Sequence, residues 1–318
     1  MREILSFLIL AALLAATSGC IGPNVNEGAT HERASTGLVV LMTDYGDAGP
    51  MVGALEGSIY STNLDVRISS ITHQVKPFDL AEGSYILTVA SAQYPKGTVF
   101  LVGVDPGTGM KRTPIVLQTA DGKLFVAPDN GILTGVMDAC GIKSIHEIRN
   151  HSLMRQSNIS STFNARDIYA PVAARLAGGM DVSTVGPASK ETLRLSMLRP
   201  TVKDQDIMGS ISYIDNFGNV ITNIPGRMMY EAGFSQGDML FVSIGNSTNL
   251  VSFAGTYGDV KEGSWVTMVG ANGMVEVARN MASAAKSAEA SVGGSVWITS
   301  VGQKNRELSA EPKGQIAP

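Results

Sequence analysis

The sequence predicts an α/β domain with a central, mostly parallel sheet, followed by a smaller all-β, barrel-like domain. Three observations carry this reading. Through the first part of the chain, short apolar runs alternate with stretches of helical periodicity, and the runs end in turns rich in Gly, Asp and Pro. From Ile207 onward the pattern changes to short strands with no strong long helix between them. The length, 318 residues of which 44% are apolar, is enough for two domains with separate cores.

Met1–Cys20 stands apart. Arg2 precedes the apolar run Ile4–Ala16, and Thr17-Ser18-Gly19 leads to Cys20. The run is shorter than the roughly 20 residues a spanning helix needs, and its small-residue exit is that of a secretory signal. Small residues before a cysteine resemble a lipoprotein processing site, with Glu3 and Thr17 as departures. The expectation is an exported lipoprotein, lipidated at Cys20, anchored to a membrane and facing the periplasm or cell exterior. Residues 21–36 read as a polar linker, 37–190 as the α/β domain, 191–206 as an interdomain linker, 207–304 as the β domain and 305–318 as a disordered tail.

In the first domain, Leu38–Thr43 is a strand that ends at Asp44-Tyr45-Gly46-Asp47, and Val52–Tyr60 is a helix. Asp44 sits at the strand end with its carboxylate free to face a ligand. Asp47 serves the turn or the helix terminus. Val66–Ile71 is the second strand. The loop after it carries His73 as a hydrogen-bonder and Phe78, placed to stack on a planar ligand or to cover the next helix. Asp79 is the N-cap of that helix, Leu80–Ala92. Thr98–Val104 is the third strand and delivers Asp105. Pro106-Gly107-Thr108-Gly109 then bends the chain, and Arg112 returns a guanidinium seven residues after the carboxylate. In open α/β sheets ligands bind beyond the carboxyl ends of the strands, which makes this loop the first candidate site.

Pro114–Thr119 and Lys123–Ala127, around Asp121-Gly122, read as a hairpin. Pro128-Asp129-Asn130-Gly131 opens the helix Ile132–Asp138; Asp129 and Asn130 contact a ligand or cap the helix, with capping favoured. Cys140 closes it as a small buried hydrophobe, and Ser144–Ile148 is another strand. Ser160–Asp167 lines the start of the helix Ile168–Leu176 with hydroxyls and an amide, and Arg166 and Asp167 are placed to pair and fix that turn.

The second domain has strands at Gly209–Ile214, Asn219–Ile224, Met239–Val242, Thr248–Phe253, Ser264–Met268, Met274–Val277 and Ser295–Ile298. Its tight turn Asp215-Asn216-Phe217-Gly218-Asn219 offers a carboxylate, an aromatic face and an amide. Gly270-Ala271-Asn272-Gly273 is a second turn, and Ala278-Arg279-Asn280 ends the adjacent strand. A net charge of -4 without a basic run argues against a nucleic-acid partner. Two cysteines and four histidines without ligand spacing argue against a disulfide framework or a metal site.

Taken in order, these turns resemble one family: the S-adenosyl-L-methionine hydrolases (hydroxide adenosyltransferases) and the related fluorinating and chlorinating enzymes. The resemblance covers about Leu38 to Ile298. It rests on Thr43-Asp44-Tyr45-Gly46, Asp105-Pro106-Gly107-Thr108-Gly109, Pro128-Asp129-Asn130-Gly131, Ser161–Asp167 and Ile214–Ile224. It implies a homotrimer with the ligand between the N-terminal domain of one subunit and the C-terminal domain of its neighbour. Asp44 would grip the ribose diol and Phe78 would be the aromatic lid. Asp215 would hold the methionine ammonium. Phe217 and Asn219 would cover and hydrogen-bond the adenine, with the backbone near Arg279 helping to read it. The Ala271 and Asn272 backbone would meet the methionine carboxylate. Asp105 and Arg112 match the water-handling pair of the hydrolytic members, and Thr108 in the same loop would be a substrate-binding residue. S-adenosyl-L-methionine is then the substrate, and no cofactor is expected.

The implied reaction is in-line displacement at the ribose C5′ with a neutral thioether leaving, so catalysis is largely positioning and dry electrostatics. The halogenating members carry other residues where Asp105 stands, and a carboxylate there repels a halide. Water or hydroxide is therefore the expected nucleophile. Two positions depart from the pattern. Met51 replaces a commonly polar or aromatic residue. More tellingly, Asn164 stands where the hydrolytic members have a histidine; Asn can orient water but does not titrate near neutral pH. The expectation is a slowed or altered hydrolase. The alternatives are an adenosyl- or nucleoside-binding protein that has lost turnover, and displacement by another nucleophile.

Overall fold

The computed structural model describes residues 35–107 and 112–302. Six strands form the first sheet: β1 (Leu38–Thr43), β2 (Arg67–Thr72), β3 (Val99–Gly103), β4 (Pro114–Thr119), β5 (Leu124–Pro128) and β6 (Ile142–Glu147), in the spatial order β2-β1-β3-β5-β4-β6. β2, β1, β3 and β5 are parallel, and β4 is antiparallel to both of its neighbours. The expected mostly parallel sheet is found, with the Asp121-Gly122 hairpin supplying its antiparallel strand.

The helices of this domain are α1 (Met51–Thr62), α2 (Leu80–Ser91), α3 (Thr134–Cys140) and α4 (Ala170–Ala177). Successive strand residues point to opposite faces. Val39, Leu41 and Leu101 accordingly pack with Leu55 and Ile59 of α1 and with α4. Val40, Met42 and Val102 pack with Leu87 of α2 and Val136 of α3. The sheet lies between two helical layers, which is why its strands read as unbroken apolar runs.

The second domain comprises β7 (Thr201–Lys203), β8 (Asp206–Ile214), β9 (Val220–Pro225), β10 (Met239–Ile244), β11 (Ser247–Phe253), β12 (Trp265–Val269), β13 (Met274–Arg279) and β14 (Ser295–Ser300). β14 pairs with both β10 and β8, closing a seven-stranded barrel, and β7 adds to β8 outside the ring. Closure leaves the barrel without open edges. Ile207, Val220, Leu240, Phe253, Val277 and Ile298 are among the side chains that fill it.

Several local details differ from the sequence reading. Part of the segment read as a linker, Thr201–Lys203, is strand β7. The rest is pinned: Asp129 accepts from the Thr192 hydroxyl at 2.7 Å and from the Leu193 N–H at 2.8 Å. The β domain also contains α5 (Arg227–Glu231) and α6 (Ala284–Ala288), each too short to leave a periodic signal. A π-helical turn, Ala165–Tyr169, precedes α4. Cys140 is only half-buried at the end of α3, not a core residue.

The expectation of a membrane-anchored lipoprotein is corrected. Among the described residues no helix is long and apolar enough to cross a membrane. The two longest, α1 and α2, have 12 residues each, about 18 Å at the helical rise against a hydrocarbon core of roughly 30 Å. The stretch Met1–Cys20, which carried the signal and the lipidation at Cys20, lies outside the described residues. No described helix can therefore supply the membrane attachment expected from the sequence.

Candidate active site

The chain leaves β1 for β2 on one side and returns to place β3 on the other. This reversal of strand order opens a crevice at the carboxyl ends of β1 and β3, where open α/β sheets bind ligands. Thr43 and Gly103 are register partners at those ends. Asp44, one residue past β1, and Asp105, two past β3, therefore emerge side by side. Each carboxyl is raised above its ordinary value of 3.8, burial being the main cause. Asp105 adds to the rise at Asp44 by like-charge repulsion. Arg112 opposes the rise at Asp105 through a direct ion pair, Nη1 to Oδ1 at 2.9 Å. The sequence-predicted Asp44, Asp105 and Arg112 thus form one electrostatic group.

Asn164 is brought to the same end of the sheet by packing. Gly103 lets the chain come close: a Cβ there would lie 3.0 Å from Thr43 Cγ2, 3.1 Å from the Tyr45 hydroxyl and 3.4 Å from Ala165 Cβ. The Tyr45 ring meets Phe163 edge-on at 5.7 Å. Asn164 lies between Phe163 and Ala165 and directly precedes the π turn. That turn is built on Asp167, which is fully buried and accepts two bonds from Arg166, at 2.7 and 2.8 Å, and the Ser160 N–H at 2.7 Å. The expected Arg166–Asp167 pair is present and is structural. The Asn164 side chain caps nothing. π turns recur where a helix must present a side chain to a site.

Other candidates resolve into support. Asn130 is buried; its amide donates to the Val104 carbonyl at 3.0 Å and accepts from the Ile132 N–H at 3.1 Å, so it anchors the strand end that carries Asp105. His73 is the expected loop hydrogen-bonder, joined to Thr43 at 2.9 Å and Ser70 at 3.0 Å. Asp47 is bound by the Gln74 side chain and does not cap α1. Asp79 caps α2 by accepting from the Glu82 N–H at 3.0 Å. Phe78, just before it, is 79% exposed and held at φ 70°, a left-handed backbone that bulky residues seldom adopt. Its ring is free to cover a ligand. Thr108 lies outside the described residues.

A second group lies on the barrel domain. Asp215 accepts from the Phe217 and Asn219 N–H groups at 2.9 and 2.8 Å, and from the Asn219 amide at 2.9 Å. The turn projects Phe217 outward, 80% exposed. It packs on the segment after β13: the Ala285 N–H donates to the Gly218 carbonyl at 2.9 Å. The antiparallel register of β13 on β9, with Val277 opposite Val220, brings this turn to the end of β13 that carries Arg279. The Arg279 guanidinium is turned away to the Gly263 carbonyl, at 2.7 and 3.0 Å, and lies 5.5 Å over the Trp265 ring. Asn272 donates to the Tyr85 hydroxyl at 2.6 Å.

The sequence reading missed the phenols and one acid. Tyr45 and Tyr169 line the first group, and burial raises both. Tyr85, Tyr213, Tyr257 and Glu276 lie near Asp215; burial is the main cause that raises all four, and the Asp215 charge adds a smaller push. Glu276 is buried, raised mainly by burial and bonded by the Tyr257 hydroxyl. One signal was legible: a lone acid inside the apolar strand pattern Met274–Val277. None of the charged groups that shift Asp44 and Asp105 belongs to the Asp215 group.

Comparison with known proteins agrees with this architecture. Family models described as the SAM hydroxide adenosyltransferase N-terminal and C-terminal domains match residues 39–186 and 209–297. An (R)-S-adenosyl-L-methionine hydrolase of Salinispora tropica is 33% identical over 250 residues, covering 78% of this chain and 92% of that protein. The enzyme of the same name from Methanocaldococcus jannaschii is 31% identical over 258 residues, covering 78% and 90%. A fluorinase of Nocardia brasiliensis is 28% identical over 276 residues, covering 78% and 92%. A crystal structure of a conserved protein from Thermotoga maritima superposes with a TM-score of 0.79 at 36% identity, covering 82% of this chain and 99% of that one. With both domain models matched in order on an α/β sheet and a closed barrel, the chain belongs to the SAM hydroxide adenosyltransferase family.

Proposed function

We propose that this protein hydrolyses S-adenosyl-L-methionine to adenosine and L-methionine, water or hydroxide displacing the thioether at the ribose C5′. The carrying observation is the Asp105–Arg112 ion pair, largely buried beside Asp44 at the strand-order reversal. The chemistry balances without a cofactor. The water oxygen bonds to C5′, the C5′–S bond breaks, and its electron pair stays on sulfur as neutral methionine. The water proton leaves to solvent through Asp105. A carboxylate at this place attracts water and repels halide, which favours hydrolysis over halogenation. The relatives named (R)-S-adenosyl-L-methionine hydrolases are 31% and 33% identical and matched over 90% and 92% of their own length, which supports the same substrate class here.

In this reading Asp44 takes the ribose hydroxyls as a charge-assisted pair and Phe78 covers the purine side. Asp215 faces the ammonium, Phe217 and Asn219 meet the adenine, and the Ala271 and Asn272 N–H groups meet the carboxylate. The two groups sit on different domains, and we place the complete site between copies of the chain. The test is incubation of purified protein with S-adenosyl-L-methionine and chromatography for adenosine. Asp105→Asn should lower the rate by about 100-fold or more, the scale of losing a positioned proton acceptor. Tight binding by the wild type without adenosine release would instead mark a ligand-binding protein that has lost turnover.

A further inference from the structure

The turn Gly270–Gly273 is the part of the site with least side-chain chemistry of its own. Its shape is held by the Gly273 N–H on the Gly270 carbonyl at 2.9 Å, and by the Gly270 N–H on the Met274 carbonyl at 2.8 Å. The N–H groups of Ala271 and Asn272 donate to no acceptor among the described residues. They are available to a carboxylate. Asn272 supplies the turn's one polar side chain. Its carbonyl oxygen accepts from the Met274 N–H at 3.1 Å, and its amide donates to the Tyr85 hydroxyl at 2.6 Å.

Tyr85 comes from the other domain. It lies on α2, the helix that begins two residues after Phe78. Its ring stacks on Tyr213 at 5.2 Å, with 17° between the planes, and Tyr213 lies two residues before Asp215. We propose that Tyr85 is a positioning residue: its hydroxyl holds the Asn272 side chain, and through it the Gly270–Gly273 turn, in the shape that receives the substrate's carboxylate. The proposal rests on the functional reading above and assigns a role to a residue that no sequence motif marked. Burial pushes the phenol up to about 12. It therefore stays protonated at physiological pH and acts by geometry, not by titration.

The test compares two ligands that differ only at the carboxylate: S-adenosyl-L-methionine and its decarboxylated analogue, with dissociation constants measured by calorimetry. Tyr85→Phe removes one hydroxyl and keeps the stacked ring. It should weaken the parent ligand about five- to tenfold, the scale of one hydrogen bond lost from a positioned turn, and change the analogue by less than about twofold. Asn272→Ala should reproduce this, and the double variant should be no weaker than either single one. Asn272→Ala, made in a surface turn, carries the test if Tyr85→Phe proves unstable. Equal losses for both ligands, no loss for either, or additive losses in the double variant would overturn the proposal. Wild-type protein that binds neither ligand would overturn the functional reading and this inference with it. Unchanged binding by the variants would overturn this inference alone.

Discussion

Asp105 is asked to do two opposed things. Burial raises its carboxyl, so the protonated form is the easier one to keep inside the fold, while handling water needs the ionised form. The sign follows for both properties. The stabilising contribution of the raised group is fully present below its ordinary value of 3.8 and is lost as pH rises through the higher folded value. Activity runs the other way and falls as pH drops through that same folded value. Asn164 adds no titration near neutrality, so kcat/KM should show no second inflection from this residue above the acid limb. Asn164→His would introduce an imidazole ionising near ~6.5. It should add an inflection near neutral pH and raise the rate at pH 8 by about tenfold or more. A pH–rate profile of the two proteins checks this. An unchanged, flat profile in the variant would show that residue 164 does not face the nucleophile.

At the scale of elements, the site depends on how loops are tied to strand ends. Asn130 bridges the Val104 carbonyl and the Ile132 N–H, fastening the residue before Asp105 to the loop that opens α3. Asn130→Ala leaves both partners buried without a bond and should cost about 1–3 kcal/mol in urea unfolding. The same variant should slow adenosine release, because the Asp105 loop loses its tether. Phe78 shows a different economy. Asp79 caps α2 and commits the chain to its helical start, while Phe78 is left in a left-handed backbone with an exposed ring. Strain of this kind persists where the surroundings fix it, and it clusters at ligand clamps.

At the scale of the molecule, the Asp44–Asp105–Arg112 group sits on the sheet domain and the Asp215–Asn219–Asn272 group on the barrel. A site assembled from two copies of the chain makes a sharp demand. Asp105→Asn spoils the first half and Asp215→Asn the second, so each variant alone should be inactive. Mixed as unfolded chains in equal amounts and refolded together, they should recover about a quarter of wild-type activity, since one in four domain pairings then unites two intact halves. No recovery in co-refolded protein would place both halves in a single chain.

Much of the fold was legible because its signals are local. Apolar runs of strand length, Asp-Gly at the hairpin, Asp79 before a periodic helix and the turn Asp215–Asn219 each act over a few residues, and each lands where it was read. The weak signals were the short ones: α5, α6 and β7 are too brief for periodicity to register. The apolar segment at the N-terminus led to a membrane anchor that the described helices do not bear out. Asp44, Asp105 and Arg112 could be nominated from sequence because strand ends and loops are where chemistry collects. Their sharing of one crevice is a property of strand order, which juxtaposes residues about 60 apart in the chain. The phenols, Glu276 and the Tyr85–Asn272 bond are of the same kind. Those last two residues are separated by 187 positions, and no local pattern records a contact over that distance. The sequence alone determined which turns carry polar groups and which chemistry suits them. Only tertiary packing decided which of those groups share a desolvated space, because desolvation and charge coupling depend on distance through the fold and not along the chain.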